Sequence, residues 1–117
     1  MEKFIDIDGK KVGFKTNGAV PLMYMAQFQK DMIKDILAMG VTERKNKKES
    51  KEEQIKWIRE NVDFMTFFNI AWVYAKAYDK TIGPPLEWLE GFETFPIMDV
   101  IEPLQELLEK TLSTKKK

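Results

Sequence analysis

Between Asp63 and Lys76 the chain reads FMTFFNIAWVYA, twelve residues without a charge, and the apolar pattern continues to Tyr78. A helix that is apolar on nearly every face has to be surrounded, since each face left in water forfeits about 25 cal/mol per Å² of burial. Twelve residues are too few to cross a bilayer, which needs about 20. The segment therefore predicts a core helix, and the rest of the chain has to supply the elements that cover it.

Those elements are legible in outline. KFIDID and KKVGFK flank Asp8-Gly9, a dipeptide that supplies the two positive-φ positions of a type I′ turn, so a β-hairpin over about 3–16 is expected. A hairpin alone is marginal, and one of its faces must be covered. Pro21 suits a helix first turn, and Leu22, Met25, Phe28, Met32, Ile33, Ile36 and Leu37 keep three-four spacing as far as Gly40, which predicts one helix over 21–39. Residues 43–53, ERKNKKESKEE, hold no apolar side chain, so a polar loop over about 41–52 is expected.

A second long helix follows, starting at Glu52 or Glu53 and running through Ile55, Ile58 and Val62 to Tyr78. Gly83-Pro84-Pro85 halts the chain, LEWLE makes a short helix over 85–91, and a last helix covers 97–112. Pro103 falls inside that last segment, so either the helix bends there or, the reading favoured, a turn ends near Ile101 and a new helix starts with Pro103 in its first turn. The fold class expected is mainly α, or α+β, with an N-terminal hairpin packed on a small helical domain; 117 residues suit one domain, 1–117.

Composition narrows the chemistry. Nineteen basic and nineteen acidic residues cancel, so no global field holds nucleic acid or a lipid surface. There is no Cys and no His, which removes thiolate nucleophiles, disulfides, zinc-thiolate sites and the commonest general base and metal ligand. Without a signal-peptide pattern at MEKFIDIDGK, an intracellular, cytoplasmic protein is expected. No Gly-rich phosphate loop and no nucleophile elbow is present, so the expectation is a non-enzyme without cofactor or metal.

The charged and aromatic residues have competing readings. Glu87, Glu90, Glu93, Asp99, Glu102, Glu106 and Glu109 lie in a stretch without Lys or Arg until Lys110. Paired carboxylates run glycosidase chemistry or hold divalent metals only when they converge in a cleft. A solvated face, or a docking surface for a basic helix, needs no convergence. Trp72, Tyr74, Trp88, Phe92 and Phe95 suit either core or interface. Met23, Met25, Met32, Met39, Met65 and Met98 suit adaptable surfaces or ordinary core filling. The basic run Arg44, Lys45, Lys47, Lys48 and Lys51 alternates with Glu43, Glu49, Glu52 and Glu53 and lacks interleaved aromatics, so it reads as solvated rather than as a nucleic-acid groove.

The stretch FFNIAWVYAKAYDKTIGPPLEWLEGFETFPIMDVIEPLQELL, Phe67 to Leu108, resembles the C-terminal half of the tail assembly chaperones of bacteriophages and prophages of Gram-positive bacteria. The carriers of the likeness are the NIAWV helix, the Pro-containing turn, the L-E-W-L-x-x-F motif and the short acidic helix; the hairpin and the polar insertion are similar in layout. The resemblance implies a small protein of the host cytoplasm that binds the long helical tape-measure protein and keeps it soluble while the tail tube assembles. For such a role the segment Leu86 to Leu108 is expected to meet the partner, with Trp88, Phe92 and Phe95 as apolar anchors and Glu87, Glu90 and Glu93 as their rim; zero formal charge leaves little repulsion to oppose weak homo-oligomers, and no membrane contact is expected.

Such chaperones are also made in two lengths by frameshifting. The terminal Lys115, Lys116 and Lys117 then fit a slippery site in the gene of a short form, whose longer product recruits tail tube protein. The competing classes are a phage-encoded nucleic-acid-binding regulatory protein acting through residues 44–51, and a structural tail component.

Overall fold

The computed structural model of the protein describes residues 1–39 and 50–113. Its order is β1 (Glu2–Ile7), β2 (Lys10–Lys15), α1 (Val20–Phe28), α2 (Met32–Met39), α3 (Lys51–Asn61), α4 (Phe64–Tyr78), α5 (Pro85–Glu90) and α6 (Ile97–Leu112). The mainly helical class with an antiparallel N-terminal hairpin is the one the sequence predicts. Asp8 and Gly9 take φ of 57° and 76°, the pair of positive angles a type I′ turn requires.

Alternation along the strands divides the hairpin into two faces. Ile5, Ile7 and Phe14 point inward and are buried, whereas Glu2, Phe4, Asp6 and Lys11 are exposed. α4 runs beside β2, α6 lies against β1, and α1 packs on α4 with α2 folded back between α1 and α6. Lys3 of β1 meets Glu106 of α6 at 2.6 Å. At the centre, α4 buries Thr66, Phe67, Ile70, Ala71, Trp72, Val73, Tyr74, Ala75 and Ala77, residues that occupy every side of the helix. The apolar segment is enclosed from Thr66 to Ala77, while Phe64 and Met65 at its start and Tyr78 at its end stay exposed.

Three helices differ from their sequence expectation. The single helix expected over 21–39 is two. Gln29 adopts a left-handed φ of 55° and donates its N–H to Met25 O, closing α1, while the Asp31 carboxylate accepts the Lys34 N–H and opens α2. The turn lets α2 fold back so that the Tyr24 hydroxyl donates to Asp35 at 2.7 Å. Burial, reinforced by that carboxylate, pushes the Tyr24 phenol pKa up.

The helix expected over 53–78 is likewise two, α3 and α4, because Asp63 leaves the helix and caps the next one, accepting from Met65 N–H and the Thr66 hydroxyl, each at 3.1 Å. α3 begins at Lys51, not 53. Ser50 accepts from Glu53 N–H and Glu53 accepts from Ser50 N–H, a capping box written in the sequence as Ser50-x-x-Glu53. Lys51 and Glu52 are thus helical rather than loop; residues 41–49 of the expected loop and the expected stop Gly40 lie outside the described residues.

The third difference is Pro103. α6 is continuous from Ile97 to Leu112 across it, without a break near Ile101. The stripe Val100, Ile101, Leu104, Leu107 and Leu108 is buried on both sides of Pro103. Interrupting the helix would disengage part of that stripe. At about 1.5–3 kcal/mol per buried side chain, the stripe outweighs the ~3 kcal/mol a helical proline costs.

Candidate functional site

The segment from Asp79 to Pro96 carries the residues singled out as partner anchors, and a series of hydrogen bonds fixes its path. Asp79 closes α4, and its carboxylate accepts the Thr81 hydroxyl at 2.6 Å and the Thr81 N–H at 3.0 Å. Those two donors hold the Asp79 carboxyl below its usual range. Lys76 reaches Lys80 O and Ile82 O, and the Trp72 indole donates to Gly83 O at 2.9 Å. The loop is therefore tied down onto α4 before Pro84 and Pro85 start α5, where the missing proline N–H groups leave nothing unsatisfied.

Beyond α5 the hairpin turn takes over. Lys10 Nζ donates to Gly91 O at 2.7 Å and lies 5.5 Å from the centre of the Phe92 ring, while Asp8 accepts the Glu93 N–H at 2.9 Å. The left-handed backbone of Asp8, which the turn requires, also aims its carboxylate at the incoming chain.

Trp88, Phe92 and Phe95 converge. Their ring centres lie 5.3–5.7 Å apart in edge-to-face pairs, the preferred aromatic geometry. Phe95 continues onto Phe67 and Phe68 of α4, and Trp88 onto Phe14 of β2. All three are half-buried. They close one end of the core and keep part of their surface outward. Glu87, Glu90 and Glu93 are exposed around them, and Leu86 is 71% exposed.

The LEWL pattern by itself points to its tryptophan and does not single out Leu86. The two proline residues before it and Glu87 after it are the only local sign that it starts a surface turn. Other exposed apolar side chains lie elsewhere. Leu22 is 72% and Met25 46% exposed on α1, Phe64 43% and Met65 68% at the start of α4, Phe4 48% on the hairpin and Tyr78 42% at the end of α4. The legible signal for α1 is the absence of any charged residue from Thr16 to Gln29.

The remaining carboxylates do not gather: among the described residues no three Asp or Glu side chains come together in a way that could hold a metal ion. Glu102 and Glu106 are exposed on α6 opposite its buried stripe. Arg44, Lys45, Lys47 and Lys48, the basic run, and Lys115 to Lys117 lie outside the described residues. No described helix is long and apolar enough to cross a membrane.

A second internal site is structural. Thr111 Oγ donates to Leu107 O at 2.8 Å, which leaves its lone pairs for the Tyr74 hydroxyl at 2.7 Å and the Thr16 hydroxyl at 3.0 Å. Burial pushes the Tyr74 phenol pKa up. This trio joins α4, α6 and the end of the hairpin through polar groups inside the core. No protein-family model, curated protein or solved structure matches this chain.

Proposed function

We propose that the protein is a tail assembly chaperone that engages the tape-measure protein through the segment Leu86 to Phe95. The observation that carries this reading is the coincidence, on one segment, of the L-E-W-L-x-x-F motif with a surface of matching form. Leu86 stands 71% exposed, the half-buried Trp88, Phe92 and Phe95 lie together on the same segment, and the carboxylates of Glu87, Glu90 and Glu93 are all exposed along it. An apolar centre with an acidic rim suits one stripe of an amphipathic helix flanked by lysines, and a long helical tape-measure chain repeats such stripes.

The reading assigns the protein no catalytic role and no cofactor, and places it in the host cytoplasm during tail assembly. Because the aromatic triad also packs on Phe14, Phe67 and Phe68, its members anchor the site while Leu86 and the glutamates make the outermost contacts.

The test is co-expression with a phage tape-measure protein. The wild type is expected to hold that protein in the soluble fraction and to co-purify with it. Leu86→Asp combined with Glu90→Lys, both at exposed positions, is expected to fold normally and to abolish co-purification. A tape-measure protein equally soluble with and without the wild-type chain would overturn the proposal.

A further inference from the structure

The outer face of the hairpin carries a pattern that neither the core nor the α5 segment uses. Across the strands Glu2 pairs with Lys15, Phe4 with Gly13 and Asp6 with Lys11. One strand thus presents acid, aromatic, acid, and the other base, glycine, base. Two contacts establish that these residues share a face: Lys11 Nζ lies 5.3 Å from the centre of the Phe4 ring, and the Tyr78 ring, seated over Gly13, meets Phe4 edge-on at 5.4 Å. Phe4 and Tyr78 are 48% and 42% exposed, so an aromatic pair stands in water at the middle of a charge-striped surface.

We propose that this face is an isologous interface with a second copy of the chain. A two-fold axis parallel to the strands, set between two hairpins packed face to face, places β1 of one copy over β2 of the other in unchanged register. Glu2 then faces Lys15 of the second copy, Asp6 faces its Lys11, and Phe4 faces its Gly13 and Tyr78. Every charge meets its opposite, and the aromatic pairs meet at the centre, where water is most fully excluded. The complementarity follows from the register alone, because a face whose acids and bases sit at matching levels on opposite strands is complementary to itself under that operation. A uniformly charged partner such as a nucleic acid would meet Glu2 and Asp6 as well as the lysines.

The size of the face sets the strength. Six residues per strand at ~3.3 Å rise give a strip about 20 Å long and two strands wide, well short of the ~800 Å² per partner of a stable interface. The dimer is therefore weak, with a Kd on the order of 100 µM, and weakens with added salt. The inference is independent of the chaperone reading, since it uses none of the residues of the α5 segment.

Sedimentation of the wild type from about 10 µM to about 1 mM should show concentration-dependent dimers, and Phe4→Asp should weaken association at least ~10-fold. The decisive arm is charge exchange. The chain carrying Glu2→Lys with Asp6→Lys, and the chain carrying Lys11→Glu with Lys15→Glu, should each stay monomeric alone and form a heterodimer when mixed. Circular dichroism checks that each is folded; if a charge-exchanged chain does not fold, Phe4→Asp decides. A wild type that remains monomeric at the highest concentration, folded exchange variants that fail to pair on mixing, or Phe4→Asp that associates like the wild type would each overturn the proposal.

Discussion

The ring of Tyr78 occupies the space above Gly13 so closely that a Cβ at position 13 would fall 2.5 Å from its Cδ2 and Cε2 atoms. Glycine inside a strand ordinarily weakens it, and here the absent side chain is replaced by a ring from the end of α4. Gly13→Ala should therefore expel the ring and cost about 1 kcal/mol. In a Tyr78→Ala background the same substitution should cost nothing or stabilise by a few tenths of a kcal/mol, because alanine then suits the strand better than glycine. Urea titration of the four chains in the cycle checks it; equal costs in both backgrounds would mean that the ring does not select the glycine.

Trp72 combines packing with one hydrogen bond, its indole donating to Gly83 O while the residue is 4% exposed. Trp72→Ala should cost about 3–5 kcal/mol. Trp72→Phe keeps most of the volume and loses the bond, so about 1–3 kcal/mol is expected, with faster amide exchange in the 79–83 loop. A loss under about 1 kcal/mol for the alanine variant would contradict its place in the core.

The Tyr74 hydroxyl has Thr111 as its partner inside the core. Thr111→Val keeps the shape and leaves the phenol unsatisfied, an expected loss of about 1–3 kcal/mol. Adding Tyr74→Phe removes the stranded phenol and leaves the Thr16 hydroxyl as the group that has lost Thr111, so the double variant should be more stable than Thr111→Val alone. Thermal unfolding of the wild type and the two variants checks the order.

Asp8 links the hairpin turn to the α5 segment. Asp8→Gly retains the left-handed backbone and removes the acceptor for Glu93 N–H. Hydrogen exchange at the Glu93 amide should rise several-fold while the ladder amides of β1 and β2 keep their protection. Unchanged exchange at Glu93 would remove Asp8 from the positioning of that segment.

Asp79 titrates below the ordinary carboxylate range because the Thr81 hydroxyl and N–H donate to its ionised form. A depressed folded-state pKa stabilises the fold above the unfolded value, about 3.9, and that contribution disappears as pH falls through the folded value. Thr81→Ala removes the stronger cause, so an NMR titration should show the Asp79 midpoint move up towards the ordinary value. An unmoved midpoint would assign the shift to another group.

Elements whose cause is local or one-dimensional are legible in the residues alone. Asp8-Gly9 demands a hairpin because of the backbone angles its turn needs, and FMTFFNIAWVYA demands a core position because apolar side chains fall on nearly every face of it. Pro84-Pro85 fixes the start of α5 for an equally local reason. Ser50-x-x-Glu53 and Asp63 are local cap signals, but three-four spacing runs on through a break and carries no information about direction.

Other features depend on partners distant in the chain and emerge only when the elements pack. Gln29 takes a left-handed angle within a reversal that brings Asp35 to Tyr24, and Pro103 stays helical because the burial of residues 100–108 outweighs its cost. Trp88, Phe92 and Phe95 are half core and half surface for the same reason. Their composition suits both roles, and only the positions of Phe14, Phe67 and Phe68 set how much of each ring water can reach.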